Sequence, residues 1–339
     1  MDGQHTAGTP AGRVGGALAA TAVAPMVWGT TYAVTTELLP AGRPLLAGAM
    51  RALPAGLVLL AITRRRPRGA WWWKATVLGV LNIGAFFALL FVAAQRLAGG
   101  VAATLGAVQP LVAAVLAAAL LREPLRRRSA IAGVLGAAGV ALIVLQPGAH
   151  LDAVGVVAGL AGALSMATGV TLTKRWQAPV PSLASTAWQL VAGGVVLWVL
   201  TLTVEGAPPP LSAANVAGFA WLSLVGAALA YALWFRGIGR LPVASVSLLG
   251  LLSPVVAVGV GWAVLDQRLG PLQAAGVVVV LGALRLGRPD RSPAAVTSRT
   301  PPVRAASSDA SPLVVAPVAA SSAARAVVTG SVRTPGVHR

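Results

Sequence analysis

Apolar residues fall in ten long runs along the chain, at about 16–38, 44–63, 71–94, 99–121, 129–146, 153–173, 183–204, 213–235, 242–264 and 271–287. A helix rising 1.5 Å per residue needs about 20 residues to cross roughly 30 Å of hydrocarbon, and the runs are of that order. The links are short, and nothing within 16–287 is polar or long enough to form a separate soluble domain. The pattern predicts an all-α integral membrane protein with ten transmembrane helices. The first run follows Arg13 as a secretory signal would, but it continues past Trp28 to full span length and is read as a span. Residues 288–339 are rich in Ser, Thr, Pro, Ala and scattered Arg, without helical periodicity, and are expected to form a disordered basic tail. Its short apolar piece, 312–320, holds two prolines and cannot cross.

Composition agrees. Of 339 residues, 57% are AVILMFWYC and 10% are charged, with a mean hydropathy of +0.80. Soluble domains carry roughly 25% charged residues. The absence of cysteine excludes disulfides, thiolate metal sites and cysteine nucleophiles, and His5, His150 and His338 lie in terminal or linking segments. No metal or cofactor is expected. The net charge of +18 would suggest nucleic acid in a soluble chain. Here the cations sit at span ends. With alternate links on opposite sides and the tail set aside, 15 Lys and Arg fall on one side, including Arg64–Arg66, Arg126–Arg128, Lys174, Arg236 and Arg240. Only Arg43, Arg96 and Arg268 fall on the other. Lys and Arg in short loops mark the cytoplasmic face, so both termini are expected in the cytoplasm, the chain in the cell membrane, and nucleic acid not among its partners.

The two halves resemble each other at an offset of 144. Ala94-Gln95-Arg96-Leu97 lies over Ile238-Gly239-Arg240-Leu241, Gln109-Pro110-Leu111-Val112 over Ser253-Pro254-Val255-Val256, and Leu121-Arg122-Glu123-Pro124-Leu125 over Leu265-Asp266-Gln267-Arg268-Leu269. Five spans are an odd number, so tandem copies insert with opposite orientation. The expected organisation is a cytoplasmic N-terminus (1–15), two inverted five-helix repeats (16–146 and 153–287) and the tail (288–339). In secondary transporters so built, the substrate site lies near the midplane between repeats.

Over 16–287 the chain resembles the ten-span EamA-type permeases of the drug/metabolite transporter superfamily. The resemblance runs through Val27-Trp28-Gly29-Thr30, Met50-Arg51-Ala52-Leu53, Gln109-Pro110, Arg122-Glu123-Pro124-Leu125 and Trp188-Gln189-Leu190. Val27 to Leu53, Trp71-Trp72-Trp73 and Leu81-Asn82-Ile83-Gly84-Ala85-Phe86-Phe87 look most like a bacterial branch labelled pigment or metabolite exporters. The family typically carries Glu where this chain has Gln267. The resemblance implies alternating-access transport of small metabolites, usually outward: an amino acid, a pigment or a drug-like compound.

Polar groups inside a span are costly unless they face protein or a water-filled cavity, so they nominate a pathway. Trp28, Thr31, Tyr32 and Thr35 are spaced i, i+3, i+4 and i+7 and share one helical face of span one. Ser223, Gly226, Ala227, Ala230, Tyr231 and Trp234 form a second such face on span eight. Both fit substrate lining, and both fit helix packing with interfacial aromatics. Asn82 in span three is expected to line a cavity. Gln109 and Ser253 correspond in the repeat, and each precedes a proline that frees a carbonyl, making Pro110 and Pro254 candidate hinges and the two polar residues candidate substrate contacts. Glu37 and Arg51 are the embedded charges, read first as a structural ion pair and second as a proton-coupling pair. The glycines Gly133, Gly136, Gly139, Gly155 and Gly159 are read as close-packing sites.

A membrane-embedded enzyme or a lipid-handling protein without transport activity is the competing class. The spans lack the histidines and paired carboxylates an enzyme needs, and a scaffold has no use for an inverted repeat. The expected partners are a small-molecule substrate and membrane lipid, with a homodimer left open. Because the chain has no native cysteine, the topology is checked by single cysteines at Gly69, His150 and Gly206 and an impermeant maleimide added outside cells. Labelling is expected at positions 150 and 206 and not at 69; the reverse pattern contradicts the charge reading.

Overall fold

Within a bilayer no water reaches the backbone, so each apolar run must close its own hydrogen bonds, and a helix does this within one segment. The structure, a computed structural model, describes residues 10–97, 104–144, 152–264 and 269–288, apart from the side chains of residues 10–13, Tyr32, Phe91, Ala94 and Gln95. These residues belong to one compact unit, Met1–Pro293. The remaining unit, Ala294–Arg339, which holds most of the expected tail, lies outside the described residues, as does Gln267.

Among the described residues there is no strand, and ten apolar helices occupy the ten expected places. Span one is Val14–Leu38, span two Pro44–Thr63, span four Thr104–Leu121, span five Arg127–Val144 and span six Ala153–Trp176. Span seven is Ser182–Glu205, span eight Ala213–Ile238, span nine Val243–Val264 and span ten Pro271–Leu286. Span three is built from Trp71–Gly79, a π-helical turn at Val80–Gly84, and Ala85–Arg96. Spans three, six and eight run past their apolar stretches to take in Arg96, Lys174, Arg175 and Arg236 in their last turns. A cation there complements the negative end of the helix dipole. Large apolar side chains such as Ile62, Val134, Val157 and Val278 point away from the protein, as a lipid-facing surface requires. The chain is a multi-pass membrane protein.

The helices pack as a five-plus-five exchange. Spans two and seven pair, as do five and ten and four and nine. Span three lies on six as eight lies on one, four lies on six as nine lies on one, and two meets eight as seven meets three. Swapping spans one to five with six to ten maps these neighbours onto themselves, the pairing expected of inverted repeats about a pseudo-two-fold axis. Two pairs of local irregularities follow the same exchange. Span three has its π-helical turn at Val80–Gly84 and span eight at Trp221–Leu229. Spans four and nine break at 107–108 and 250–251, where Pro110 and Pro254 deprive the carbonyls of Gly106 and Gly250 of their helical donors.

The predicted packing glycines sit at close approaches. A Cβ on Gly276 would lie 2.6 Å from the Gly139 carbonyl oxygen, and one on Gly139 would lie 3.0 Å from the Gly276 carbonyl oxygen, so spans five and ten touch backbone to backbone. Gly276→Val should therefore destabilise the protein by about 1–3 kcal/mol through overpacking, read as a lower thermal midpoint in detergent. Gly282→Ala, on the same helix with open space around it, should leave the midpoint unchanged.

Candidate functional site

The Gly226 carbonyl lies in the π-helical stretch of span eight and accepts hydrogen bonds from two other spans. Trp28 Nε1 on span one donates at 3.0 Å and Arg51 Nη2 on span two at 2.9 Å. Arg51 is only 6% exposed and lies 5.3 Å from the centre of the Phe87 ring on span three, a cation–π contact. Around it stand aromatic rings: Trp28 is 5.0 Å from Tyr231 and 5.1 Å from Trp234, and Tyr231 stacks on Phe235 at 5.7 Å. The Trp234 ring approaches Gly250 at the break in span nine. Spans one, two and three of the first repeat and eight and nine of the second thus meet at one polar, aromatic cluster. Two of its buried polar atoms have no partner, Arg51 Nε and Trp234 Nε1.

A related cluster occupies the exchanged position. Arg51 is the eighth residue of Pro44–Thr63, and Gln189 is the eighth of Ser182–Leu200. The 144-residue offset lays Asn82 over Gly226. Asn82 Nδ2 donates to Gln189 Oε1 at 2.8 Å and to Thr173 Oγ1 at 3.2 Å, and Gln189 Nε2 donates to Ser185 Oγ at 3.4 Å. Gly169 packs directly on the Asn82 amide. This second cluster is neutral and closely packed.

Comparison with known proteins matches the EamA-like transporter family twice, at residues 15–145 and 153–286. The chain belongs to that family. It is 44% identical to Protein PecM of Dickeya dadantii over 77% of this chain and 88% of that protein. It is 29% identical to the inner membrane transporter YedA of Escherichia coli over 75% of this chain and 85% of that one. A solved structure 20% identical in sequence shares the fold at a TM-score of 0.70, covering 80% of this chain and 96% of the other.

In this EamA-like transporter the structure gathers Trp28, Tyr231, Trp234 and Arg51 from the predicted residues, and separates others; the Thr31 hydroxyl is buried without a partner. Glu37 does not pair with Arg51: it is exposed and accepts from Thr36 Oγ1 at 3.4 Å, while Arg51 takes a backbone carbonyl instead. The ion-pair expectation is corrected accordingly, because Glu37 lies beyond the turn that interrupts span one at Thr30. That turn also breaks the single face expected of span one, and Thr35 is exposed. The Tyr32 side chain lies outside the described residues. Asn82 is fully buried in the second cluster, with partners on spans six and seven. Gln109 Nε2 reaches Ser247 Oγ at 3.5 Å across the break between spans four and nine. The Ser253 carbonyl rests against Gly29, and Pro110 and Pro254 stand in the first turn after each break.

Two carboxylates hold the bundle ends, and the sequence reading gave neither a role. Glu205 ends span seven and accepts from the Leu45 and Leu46 backbone N–H groups at 2.6 and 2.9 Å, capping span two. Gly206, at φ +78, lets the chain turn sharply beside it. At the arginine-rich end, Glu123 accepts from the Val243 N–H at 3.1 Å, capping span nine, and forms a 2.7 Å ion pair with Lys174, whose ammonium also donates to the Leu241 carbonyl at 2.6 Å. Arg175 donates to the Leu120 carbonyl beside it. The signal for Glu123 was the Arg122-Glu123-Pro124 motif; for Glu205 it was a lone carboxylate closing an apolar run.

Glu205→Ala should destabilise the protein by about 1–2 kcal/mol, since two first-turn N–H groups lose their acceptor. Glu37→Ala should shift the thermal midpoint negligibly, as its carboxylate holds no helix end. Equal losses from both would contradict these assignments.

Proposed function

We propose that this protein is a secondary transporter that exports a small metabolite across the cell membrane by alternating access, with both termini in the cytoplasm. The observation that carries the reading is the Arg51–Gly226–Trp28 cluster, a polar and aromatic site assembled from both repeats. Polar groups are retained within a span where they meet each other or a ligand, and this cluster keeps two without partners.

Access from the arginine-rich end would require spans four, six and nine to part, and the Glu123–Lys174 pair with its two backbone contacts is the bond set to release. The breaks before Pro110 and Pro254 supply the bending points, since each span there already lacks a continuous hydrogen-bond ladder. The aromatic rings shield the site while the ends exchange. Export is supported by the family resemblance.

Counterflow in proteoliposomes against a metabolite panel, run with and without an imposed pH gradient, tests the proposal. At least one compound is expected to exchange in the native chain. Trp28→Ala should reduce that exchange at least about tenfold while the protein remains folded, through loss of both its ring contacts and its Gly226 hydrogen bond. Full exchange by Trp28→Ala would place the pathway elsewhere.

A further inference from the structure

A guanidinium in the middle of a membrane bundle needs a counter-charge, and Arg51 has none among the described residues. Four acidic side chains are described. Glu37 is exposed, Glu123 is bound to Lys174, Glu205 caps span two, and Asp152 caps span six and lies 3.7 Å from Arg96. The partners of Arg51 are one neutral carbonyl and the face of Phe87, and its Nε–H is buried with no acceptor. Burial of a cation is offset only when an anion or several acceptors complete its hydrogen bonding. The missing anion is then supplied by whatever enters the cluster.

From this geometry we infer that the substrate is a small organic acid: one carboxylate for Arg51, carried on a flat, unsaturated ring that fits among Trp28, Tyr231, Trp234 and Phe87. The inference rests on reading this cluster as the substrate site. Arginine suits a carboxylate because its planar N–H groups form charge-assisted hydrogen bonds. The neighbouring Trp234 Nε1–H, also buried and unpaired, is a second donor suited to an acceptor oxygen. The Tyr231 and Trp234 rings pack on Trp28 at about 5 Å, an aromatic surround with which a flat ring would stack once these contacts part. A substrate ammonium has no carboxylate to meet here and would be repelled by Arg51, so an acid without a compensating amine fits better than an amino acid. A compound with two or more negative charges would leave the excess unpaired.

The test is titration calorimetry on the purified full chain in nanodiscs of neutral lipid, with benzoate, 4-hydroxybenzoate and 1-naphthoate, each against its primary amide. At least one acid is expected to bind about tenfold or more tightly than its amide. Arg51→Gln should abolish the preference, and Arg51→Lys should keep part of it, because the positive charge remains. Equal affinity for acids and amides in the native chain overturns the inference, as does the absence of binding by all three acids. A preference that survives Arg51→Gln overturns it too. Should Arg51→Gln not fold, the comparison on the native chain still decides. Counterflow of neutral compounds alongside failed acid binding would overturn this inference and leave the transport proposal standing.

Discussion

One backbone carbonyl, that of Gly226, is the acceptor around which the centre of this bundle is arranged. In hydrocarbon a charged side chain is tolerated only where protein groups replace the water it has lost. Arg51 meets that requirement only in part, through this single oxygen in the π-helical stretch of span eight, and Trp28 uses the same oxygen. Those two hydrogen bonds tie spans one, two and eight together across the boundary between repeats. The tilt of Trp28 toward Tyr231 and Trp234 follows from where that oxygen stands.

The inverted repeat gives the same positions two different chemistries. On one side Asn82 donates through its neutral amide to Gln189 and Thr173, under the close approach of Gly169, and its own Oδ1 is buried without a partner. On the other, Arg51 and Gly226 occupy the exchanged positions, beside the Trp28, Tyr231 and Trp234 rings. A pseudo-symmetric scaffold thereby holds one neutral, glycine-packed polar knot and one charged, aromatic site. The packed knot joins spans three, six and seven, while the charged site keeps buried donors, Arg51 Nε and Trp234 Nε1, without acceptors.

Most of the architecture is legible in the amino-acid sequence because lipid imposes one rule on every span. Run lengths locate the ten helices, an odd number of spans per repeat dictates inversion, and the Gln109-Pro110 and Ser253-Pro254 pairs mark both breaks. The aromatic half of the site is legible as well, since Trp28, Tyr231 and Trp234 stand out in apolar helices. The partner of Arg51 is not. Hydropathy says nothing about a backbone carbonyl, and π-helical turns carry no periodic signature, so Glu37 was the only visible candidate for a counter-charge. The turn at Thr30 separated the two. The interrupted helix likewise explains why Thr35, on the expected face by spacing alone, is exposed.

The proposed alternating access requires that the Arg51 cluster be reached from each end of the bundle in turn. Paired spin labels on the native cysteine-free background measure this directly, with Leu125→Cys and Arg240→Cys across the arginine-rich end, and Ala41→Cys and Leu269→Cys across the opposite end. On addition of a compound that the protein exchanges, the two distance distributions are expected to shift in opposite senses, one end widening as the other narrows. Simultaneous widening at both ends, or distributions that never change, would contradict alternating access.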